Sequence, residues 1–424
     1  MTTPRTALDH SAAVGGEEPL WSRTASHRPS HLGALPWVAA PDGPDRQDQV
    51  GLVVVPTSRD ATRVEASGIS LAARLATAHA CPLLVVVSDE AERPESLQRV
   101  RDLVRRCGEV EAVVLSLRGL EPAFSLRTHG APLGALAAEL APHRGLSAYV
   151  SDVARKRNSA LLLARAAGYR TLLFVDDDID GWEAPAGASS TTLDDAGLRR
   201  AVRSIETGRH RCVGWVARRF SDNSVLCRVR LLAGQTQGQM IGAGALLVSV
   251  DPATPFFPSI YNEDWLFLLA DVAGHGRGAV ARAGKVRQDE PEVAITVDRA
   301  MVEEFGDVLG EGLMNLVGRP GAILTVGRDR DYWAAALNRR RAMIHDLRRS
   351  LNETYPPQHG VLVAAGRQAL EAVDELHAAA PPDLPDLFCD FVGRWQGDLG
   401  SWHELMRETP LTPGDQRHRV PVTV

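Results

Sequence analysis

The sequence predicts an α/β fold in which a mainly parallel central sheet lies between two layers of helices, with a helical extension at the C-terminus. Three observations predict it. Short apolar runs alternate with helical patterns from residue 50 to about residue 175. Runs such as VGLVVV and PLLVVV are apolar throughout, which is typical of parallel strands covered on both faces. After about residue 299, apolar residues recur at helical spacing instead.

Composition excludes several classes of protein. The chain has 424 residues, 44% of them hydrophobic, which is enough for a full core. A formal net charge of -6 argues against a broad basic face for nucleic acid. The five cysteines form no C-x-x-C pair, which argues against a zinc knuckle and fits a reducing cytoplasm. Neither a signal peptide nor a long apolar run is visible, so we expect a cytoplasmic protein without a transmembrane segment.

The elements follow in order along the chain. Residues 1–48 are rich in Pro, Gly and charged residues, so we expect a disordered N-terminal tail. Buried strands follow, of which the fourth is TLLFV at 171–175. The helical segment SLQRVRDLVRRCG stops at Gly108, a residue that suits a helix C-cap. Farther on, VGWVARR and SVLCRVRLL resemble a hairpin around residues 221–223, and GAGALLVSV resembles another buried strand.

The C-terminal part is predicted to be helical. One face of an amphipathic helix is indicated by apolar residues at spacings of four, seven, three and four, namely Trp333, Leu337, Ile344, Leu347 and Leu351. We therefore divide the chain into the tail, an α/β domain at 49–320 and a helical extension at 321–424.

Two patterns in the helical part have competing interpretations. Glu303, Asp307 and Glu311 form one acidic stripe. It either orients a polyhydroxylated or cationic partner or is a solvated face, and we favour the solvated face because charged residues usually stay exposed. Trp395 and Trp402 either stack on a ligand ring or pack in the core, and we favour packing.

The strongest local signal is the segment TLLFVDDDIDGW, where an apolar strand runs directly into Asp176, Asp177 and Asp178. Clustered carboxylates repel one another unless a cation compensates, and hard divalent cations prefer oxygen ligands. A site for a metal ion and a diphosphate is therefore predicted here. The alternative is an acidic turn that ends the strand and caps the next segment.

Two further segments carry charge near predicted helix starts. Upstream, a helix begins with Arg155, Lys156, Arg157 and Asn158. Cations and free amides at a helix start both suit a phosphate, and the alternative is a solvated first turn. Downstream, Glu263 and Asp264 stand among aromatic residues, whose apolar surroundings would raise a carboxyl pKa toward the range of a general base. The alternative there is a helix N-terminus whose acids favour the helix dipole.

In order and spacing these segments resemble the GT-A glycosyltransferases, especially bacterial family 2-like enzymes that use nucleotide-diphosphate sugars, over about residues 50–290. The resemblance implies that the α/β domain is a Rossmann-like GT-A catalytic domain. It also implies that Pro56, Thr57 and Arg59, in VVVPTSR, lie near the nucleobase, as does Asp89 after the second strand.

The acidic segment and the helix before it match two motifs of that family. Arg157 and Asn158 match its Arg-Asn helix, which implies contacts with the nucleotide sugar. The aspartate-x-aspartate motif matches Asp176 to Asp178, with Asp178 as a direct metal ligand. Asp176 is implied as a nucleotide or ribose contact and second metal ligand, and Asp177 belongs to the same nucleotide-sugar site.

The later motifs complete the resemblance. Gly242 and Gly244, in GQMIGAGALLVS, are implied to allow close approach to the donor. The x-Glu-Asp motif matches Glu263 and Asp264. In inverting members the second acid of this pair is the catalytic base, which implies that role for Asp264.

The resemblance implies transfer of a sugar from a nucleotide-diphosphate sugar to a hydroxyl of a small-molecule acceptor, with Mn2+ or Mg2+ and inverting chemistry. Tyr261 and Trp265 beside the acids are candidates for acceptor contacts. The histidine metal ligand of many GT-A enzymes has no counterpart in KVRQDEPEVAITVDR, so Gln288, Asp289 or water would complete the coordination.

Three other classes are compatible with parts of the pattern. A haloacid-dehalogenase-type phosphatase also begins with a strand and Asp-x-Asp, but the apolar run stops at Val175, two residues too early for Asp178. A nucleotidyltransferase shares the metal aspartates, but PTSRDATRVEAS lacks its Gly-rich loop. A non-catalytic scaffold that binds a nucleotide sugar is the third, and loss of turnover on replacing Asp264 would distinguish it from an enzyme.

Overall fold

The computed structural model describes residues 38–39, 49–57, 68–88, 94–108, 110–117, 152–180, 193–218, 224–235, 241–288, 295–356, 360–380 and 382–409. Within these ranges nine strands form one sheet. The strands are β1 (Val38–Ala39), β2 (Leu52–Thr57), β3 (Leu83–Val87), β4 (Ala112–Ser116), β5 (Thr171–Val175), β6 (Ile179–Asp180), β7 (Cys212–Arg218), β8 (Ile241–Ser249) and β9 (Val280–Gln288).

The strand order is β1-β9-β7-β8-β5-β2-β3-β4, and β6 pairs with β9. β2 is parallel to β3 and β5, and β4 is parallel to β3. β8 is antiparallel to both of its neighbours, β5 and β7. Because of these directions, the C-terminal ends of β2 and β5 meet the N-terminal end of β8 at one edge of the sheet.

Helices cover both faces of the sheet. They are α1 (Gly68–Ala78), α2 (Pro94–Arg106), α3 (Val153–Ala166), α4 (Asp195–Glu206), α5 (Val225–Leu232), α6 (Glu263–His275), α7 (Val297–Met314), α8 (Pro320–Thr325), α9 (Arg330–Thr354), α10 (Gly360–Ala378) and α11 (Leu384–Glu408). α1, α2 and α4 bury Ile69, Val100 and Leu198 against one face. α3 and α6 bury Ala160 and Leu266 against the other. The prediction of a three-layer α/β fold with a mainly parallel sheet is confirmed.

The predicted hairpin around residues 221–223 is wrong in its second half. Residues 225–232 form α5 rather than a strand. The apolar spacing of SVLCRVRLL suits either element, but the side chain of Ser224 accepts a hydrogen bond from the Cys227 amide and caps a helix. Val225 and Val229, four residues apart, then bury the same helical face against the C-terminal helices.

The C-terminal helices share the core of the α/β layers. The predicted amphipathic helix is α9, in which the five apolar residues predicted to share one face are all buried. The predicted core packing of both tryptophans is confirmed, because Trp395 is fully buried and Trp402 is 2% exposed. Trp402 Nε1 donates to the Thr254 carbonyl at 2.9 Å, and Arg165 Nε donates to the Met406 carbonyl at 2.8 Å. Both contacts fix α11 to the α/β layers.

The acidic stripe of α7 is not the solvated face that its sequence predicts. Asp307 is fully buried, and so is Glu304 beside it. Both accept hydrogen bonds from Arg340 of α9, which also pairs with Glu311 at 2.5 Å. His377 of α10 contacts Glu304 at 2.6 Å. A buried ion network therefore joins α7, α9 and α10.

One short part of the predicted N-terminal tail belongs to the sheet. Val38–Ala39 pairs in parallel with β9, whereas residues 1–37 and 40–48 lie outside the described residues. Among the helices described, none is both long enough and apolar enough to cross a lipid bilayer.

Candidate active site

The sheet edge at the ends of β2 and β5 brings the predicted acidic turn beside the predicted glycines. β5 ends at Val175, and the chain continues directly into Asp176. The Asp176 amide donates to the Gly244 carbonyl at 2.8 Å. A Cβ on Gly244 would lie 3.4 Å from Asp176 Oδ2, so the glycine keeps space open next to that carboxylate. Two motifs that are 66 positions apart on the chain therefore share one site.

Asp177 faces into the protein and fixes the acidic turn. Its side chain is 8% exposed and accepts a hydrogen bond from the Thr57 hydroxyl at the end of β2. Its carbonyl accepts from the amide of Gly68, the first residue of α1, at 2.9 Å. A Cβ on Gly68 would lie 2.0 Å from the Asp176 carbonyl oxygen, so only glycine allows this approach. The turn is thus anchored from two sides through Asp177.

Lys156 also faces inward, away from the phosphate position that its place at a helix start predicts. It is 2% exposed, and its ammonium donates to the Thr57 carbonyl at 3.1 Å and to Ser88 Oγ at 2.8 Å. It pairs with Asp152 at 2.9 Å. A compact ammonium with three donors suits three oxygens, whereas a planar guanidinium does not. The occurrence of a rare lysine in an arginine-rich chain was the available signal for this role.

Arg157 connects the acidic turn to the Glu-Asp motif. Its Nη2 donates to both carboxylate oxygens of Asp176, at 2.8 and 3.0 Å, and its Nη1 donates to Glu263 Oε1 at 2.7 Å. Arg157 is 3% exposed, and its Cζ lies 5.4 Å from the ring centroid of Phe257. Burial opposes the charge, but the carboxylates of Asp176 and Glu263 outweigh it and raise the pKa of Arg157. Arg157 therefore stays cationic and holds both acidic motifs together.

Glu263 and Asp264 form the first turn of α6, as the helix-start interpretation predicts, and they also face the site. Asp264 Oδ2 accepts from the Ala243 amide at 3.0 Å, and Oδ1 accepts from the Trp265 amide at 2.9 Å. A Cβ on Gly242 would lie 2.7 Å from Asp264 Oδ2, so glycine is needed where β8 meets this acid. Both carboxylates are held in fixed positions beside the strand.

Burial changes the acidity of this pair. It raises the pKa of Asp264, against the influence of Arg157. Burial and the negative charge of Asp264 together raise the pKa of Glu263 to about 7, again against Arg157. A carboxyl group with a pKa of about 7, as in Glu263, exchanges its proton near neutral pH, which is the property that a general base requires.

The remaining residues predicted to contact the nucleotide sugar lie near this site or outside the described residues. Asn158 Nδ2 donates to the Phe257 carbonyl at 2.8 Å and its Oδ1 accepts from the Phe257 amide at 2.8 Å, so it fixes the segment before α6. Pro56 lies within β2. Arg59 and Asp89, predicted at the nucleobase, lie outside the described residues.

The two aromatic residues predicted to contact the acceptor are placed in the interior. Trp265 is 1% exposed and lies in the core cluster between the sheet and the helices. Tyr261 is 8% exposed. The acceptor contact predicted for Trp265 therefore needs correction: its ring packs against apolar side chains, because α6 turns that side toward the core.

The donor set suits a divalent cation that a diphosphate helps to hold. Among the described residues, no group of three or more His, Cys, Asp or Glu side chains is arranged to hold a metal. Asp176 and Asp178 offer carboxylate oxygens on one turn, and the Gln288 amide donates to both oxygens of Asp178 at 3.2 and 3.1 Å. Mg2+ in nucleotide-dependent enzymes is commonly bound by one or two carboxylates together with substrate phosphates. The oxygen-only donors fit that arrangement.

No protein-family model and no curated protein matches the chain. Solved structures similar to it include the mannosyltransferase PcManGT from Pyrobaculum calidifontis in complex with GDP-Man and Mn2+, at 14% identity and a TM-score of 0.37, covering 88% of this chain and 89% of that one. TarS 1-349 from S. aureus has 14% identity and a TM-score of 0.31, over 78% and 90%. Core-mannan synthase A from Aspergillus fumigatus, Mn/GDP-form, has 10% identity and a TM-score of 0.26, over 58% and 73%. These values mark a distant likeness.

Proposed function

We propose that this protein is a glycosyltransferase that moves a sugar from a nucleotide-diphosphate sugar to a hydroxyl group of a small-molecule acceptor, by inverting chemistry with a divalent cation. The observation that carries the proposal is the bridge formed by Arg157, 2.7 Å from Glu263 and 2.8 Å from Asp176. Arg157 thereby joins two acidic motifs, of which we assign Asp176 and its neighbours to the cation and diphosphate, and Glu263 and Asp264 to proton removal.

In this proposal Asp264 is the catalytic base. Its two oxygens accept hydrogen bonds from the Ala243 and Trp265 amides, which fixes the direction of the carboxylate. Each oxygen keeps a second lone pair for the acceptor hydroxyl. Because burial raises the pKa of Asp264, its carboxylate is a stronger base than a solvated one. Glu263, held by Arg157, is the second carboxyl group of the proposed catalytic pair and assists Asp264.

The donor side is formed by the acidic turn and the end of β2. Asp178 and Asp176 are the proposed holders of the cation, with Gln288 orienting Asp178 through its amide. When bound, such a cation supplies positive charge that stabilises the diphosphate as it leaves. Thr57 is held by Lys156 and Asp177, so the end of β2 is rigid where the nucleobase is proposed to bind. Gly242 and Gly244 keep the donor side of β8 free of side chains.

The first experiment is thermal unfolding with a panel of nucleoside diphosphates and nucleotide sugars, with and without Mn2+. A ligand that binds only the native state at a hundredfold excess over its Kd stabilises it by about 2.7 kcal/mol. We expect a Mn2+-dependent shift with one nucleotide, lost in Asp178→Ala and retained in Asp386→Ala, which removes an exposed acid of α11. No shift with any nucleotide would contradict the proposal.

Turnover separates an enzyme from a binding scaffold. In Asp264→Asn we expect transfer to fall by about 10²- to 10⁴-fold, the usual contribution of a general base, while the nucleotide-dependent thermal shift remains. Equal transfer by this variant would remove Asp264 from the mechanism. Release of inorganic phosphate from a phosphomonoester, or release of pyrophosphate from a nucleoside triphosphate, would instead indicate a phosphatase or a nucleotidyltransferase.

A further inference from the structure

The residue directly before the Glu-Asp motif is held by helix α7. Asn262 has φ 67° and ψ 34°, in the left-handed region that residues other than glycine adopt at some cost. An asparagine before a helix usually caps it with its side chain, but Asn262 makes no such bond. Its Nδ2 instead donates to Asp307 Oδ1 of α7 at 3.0 Å. The side chain is therefore used for a tertiary contact.

α7 lies directly against the turn that carries the motif. A Cβ on Gly306 would be 2.7 Å from both Cβ and the carbonyl oxygen of Tyr261. A Cβ on Gly310, one helical turn later, would be 3.0 Å from the Trp265 ring. Asp307 lies between these two glycines in sequence. The absence of side chains at both positions lets α7 approach closely enough for Asp307 to reach Asn262.

Asp307 is itself held in place by α9. It is fully buried, and its Oδ2 accepts from Arg340 Nη2 at 3.0 Å. Arg340 also donates to both oxygens of Glu304, at 2.8 and 2.7 Å. A continuous set of hydrogen bonds thus runs from α9 through α7 to Asn262, which precedes Glu263 by one residue.

We propose that Asn262 and Asp307 are positioning residues of the active site, which fix the turn at residues 261–264 and with it the carboxylate of Asp264. This inference rests on the proposed function. The base is tied to β8 by the Ala243 amide on one side, and the Asn262–Asp307 bond holds the chain on the other. Because a displacement of 1 Å in an active site can lower the rate about 100-fold, the second tie is expected to affect catalysis.

The test compares Asn262→Gly, Asp307→Ala and the double variant with the wild type. Glycine accepts a φ of 67° without strain, so Asn262→Gly removes the bond and keeps the backbone path. The matched control is Glu303→Gln on the same helix, since Glu303 is also buried but accepts from the Val225 amide of α5 at 2.7 Å, away from the turn.

Turnover is measured as release of nucleoside diphosphate from a panel of UDP- and GDP-sugars with Mn2+. We expect kcat to fall about tenfold or more in each single variant, with KM for the nucleotide sugar unchanged within about twofold, because the donor side is not touched. The double variant should lose no more than the larger single loss, since both changes remove the same contact. An unchanged kcat in Asn262→Gly would overturn the inference.

Amide hydrogen exchange gives a readout that does not depend on turnover. Exchange of residues 261–266 should accelerate in Asn262→Gly and in Asp307→Ala, but not in Glu303→Gln. Unchanged exchange of residues 261–266 in Asn262→Gly would overturn the inference, whatever the folding of Asp307→Ala. If the wild type turns over no nucleotide sugar while exchange responds as expected, the proposed function fails. The conclusion that the Asn262–Asp307 bond fixes the turn at residues 261–264 then still stands.

Discussion

Two buried arginines in this protein each face three carboxylates, yet the acids around them differ in acidity. The carboxylates are Asp176, Glu263 and Asp264 around Arg157, and Glu304, Asp307 and Glu311 around Arg340. At the sheet edge, the pKa of Glu263 is raised to about 7 by burial and by its acidic neighbour. Between the helices, the pKa of Glu304 is lowered to about 2, because Arg340 and the hydrogen bonds from His377 and Arg340 outweigh burial.

The number of donors aimed at each acid explains the difference. Glu304 accepts from Nε and Nη2 of Arg340 at 2.8 and 2.7 Å and also contacts His377 at 2.6 Å. Glu263 accepts from one nitrogen of Arg157, and the next residue is another acid. An acid that accepts several hydrogen bonds stays ionised and supports the fold. An acid whose negative charge is only partly balanced by its neighbours can take up a proton. The same residue types therefore form an ionised network in one region and an acid of raised pKa in the other.

Removal of Arg340 should have the largest effect on stability. In Arg340→Met, buried carboxylates lose their common partner, and we expect the free energy of unfolding to fall by about 3–5 kcal/mol. The control is Arg330→Met on the same helix, whose pair with Asp386 is half-exposed and worth about 0–1 kcal/mol. Urea unfolding at pH 7 measures both. Equal losses in the two variants would contradict the comparison.

Removal of Arg157 should lower the free energy of unfolding by less than removal of Arg340, and this loss should depend on pH. A carboxyl whose pKa is raised in the folded state holds its proton more tightly there, so ionising it lowers stability as the pH rises from about 4.5 to about 7. Arg157→Met raises the folded-state pKa of Glu263 further, so stability continues to fall with rising pH above pH 7. We expect a loss of about 2 kcal/mol at pH 8 and a smaller loss at pH 6, measured by urea unfolding with EDTA present. A larger loss at pH 6 would contradict this explanation.

The smallest expected effect is a shift in the pH dependence of turnover. A base must be ionised, so kcat/KM should rise with pH through the apparent pKa of the Glu263–Asp264 pair. Glu263→Gln removes a like charge next to Asp264, which favours the ionised base and should move the acid limb down by about one pH unit. The measurement is kcat/KM from pH 5 to 9. A shift to higher pH would show that Glu263 does not act on Asp264 through its charge.

The candidate site was partly predictable because several of its parts are continuous in sequence. Asp176–Asp178 follow an apolar strand, and the order of a parallel sheet places such strand ends at one edge. Arg157 and Gly244 were predicted from their motifs, and the structure brings both into contact with Asp176. The inward direction of Asp177 was not predictable, since consecutive residues in a turn have no fixed period.

The sequence by itself determined which segments are strands and helices wherever apolar spacing was clear, as in β5 and α9, and which residue types occupy the edge of the sheet. The tertiary structure alone decided that residues 225–232 are a helix, that Lys156 faces inward and that Asp307 is buried. The reason is physical. Periodicity shows which residues share a face, but the partner that covers the face is distant in sequence, as Arg340 is from Asp307. Only that partner determines whether a charge is solvated, paired or available for chemistry.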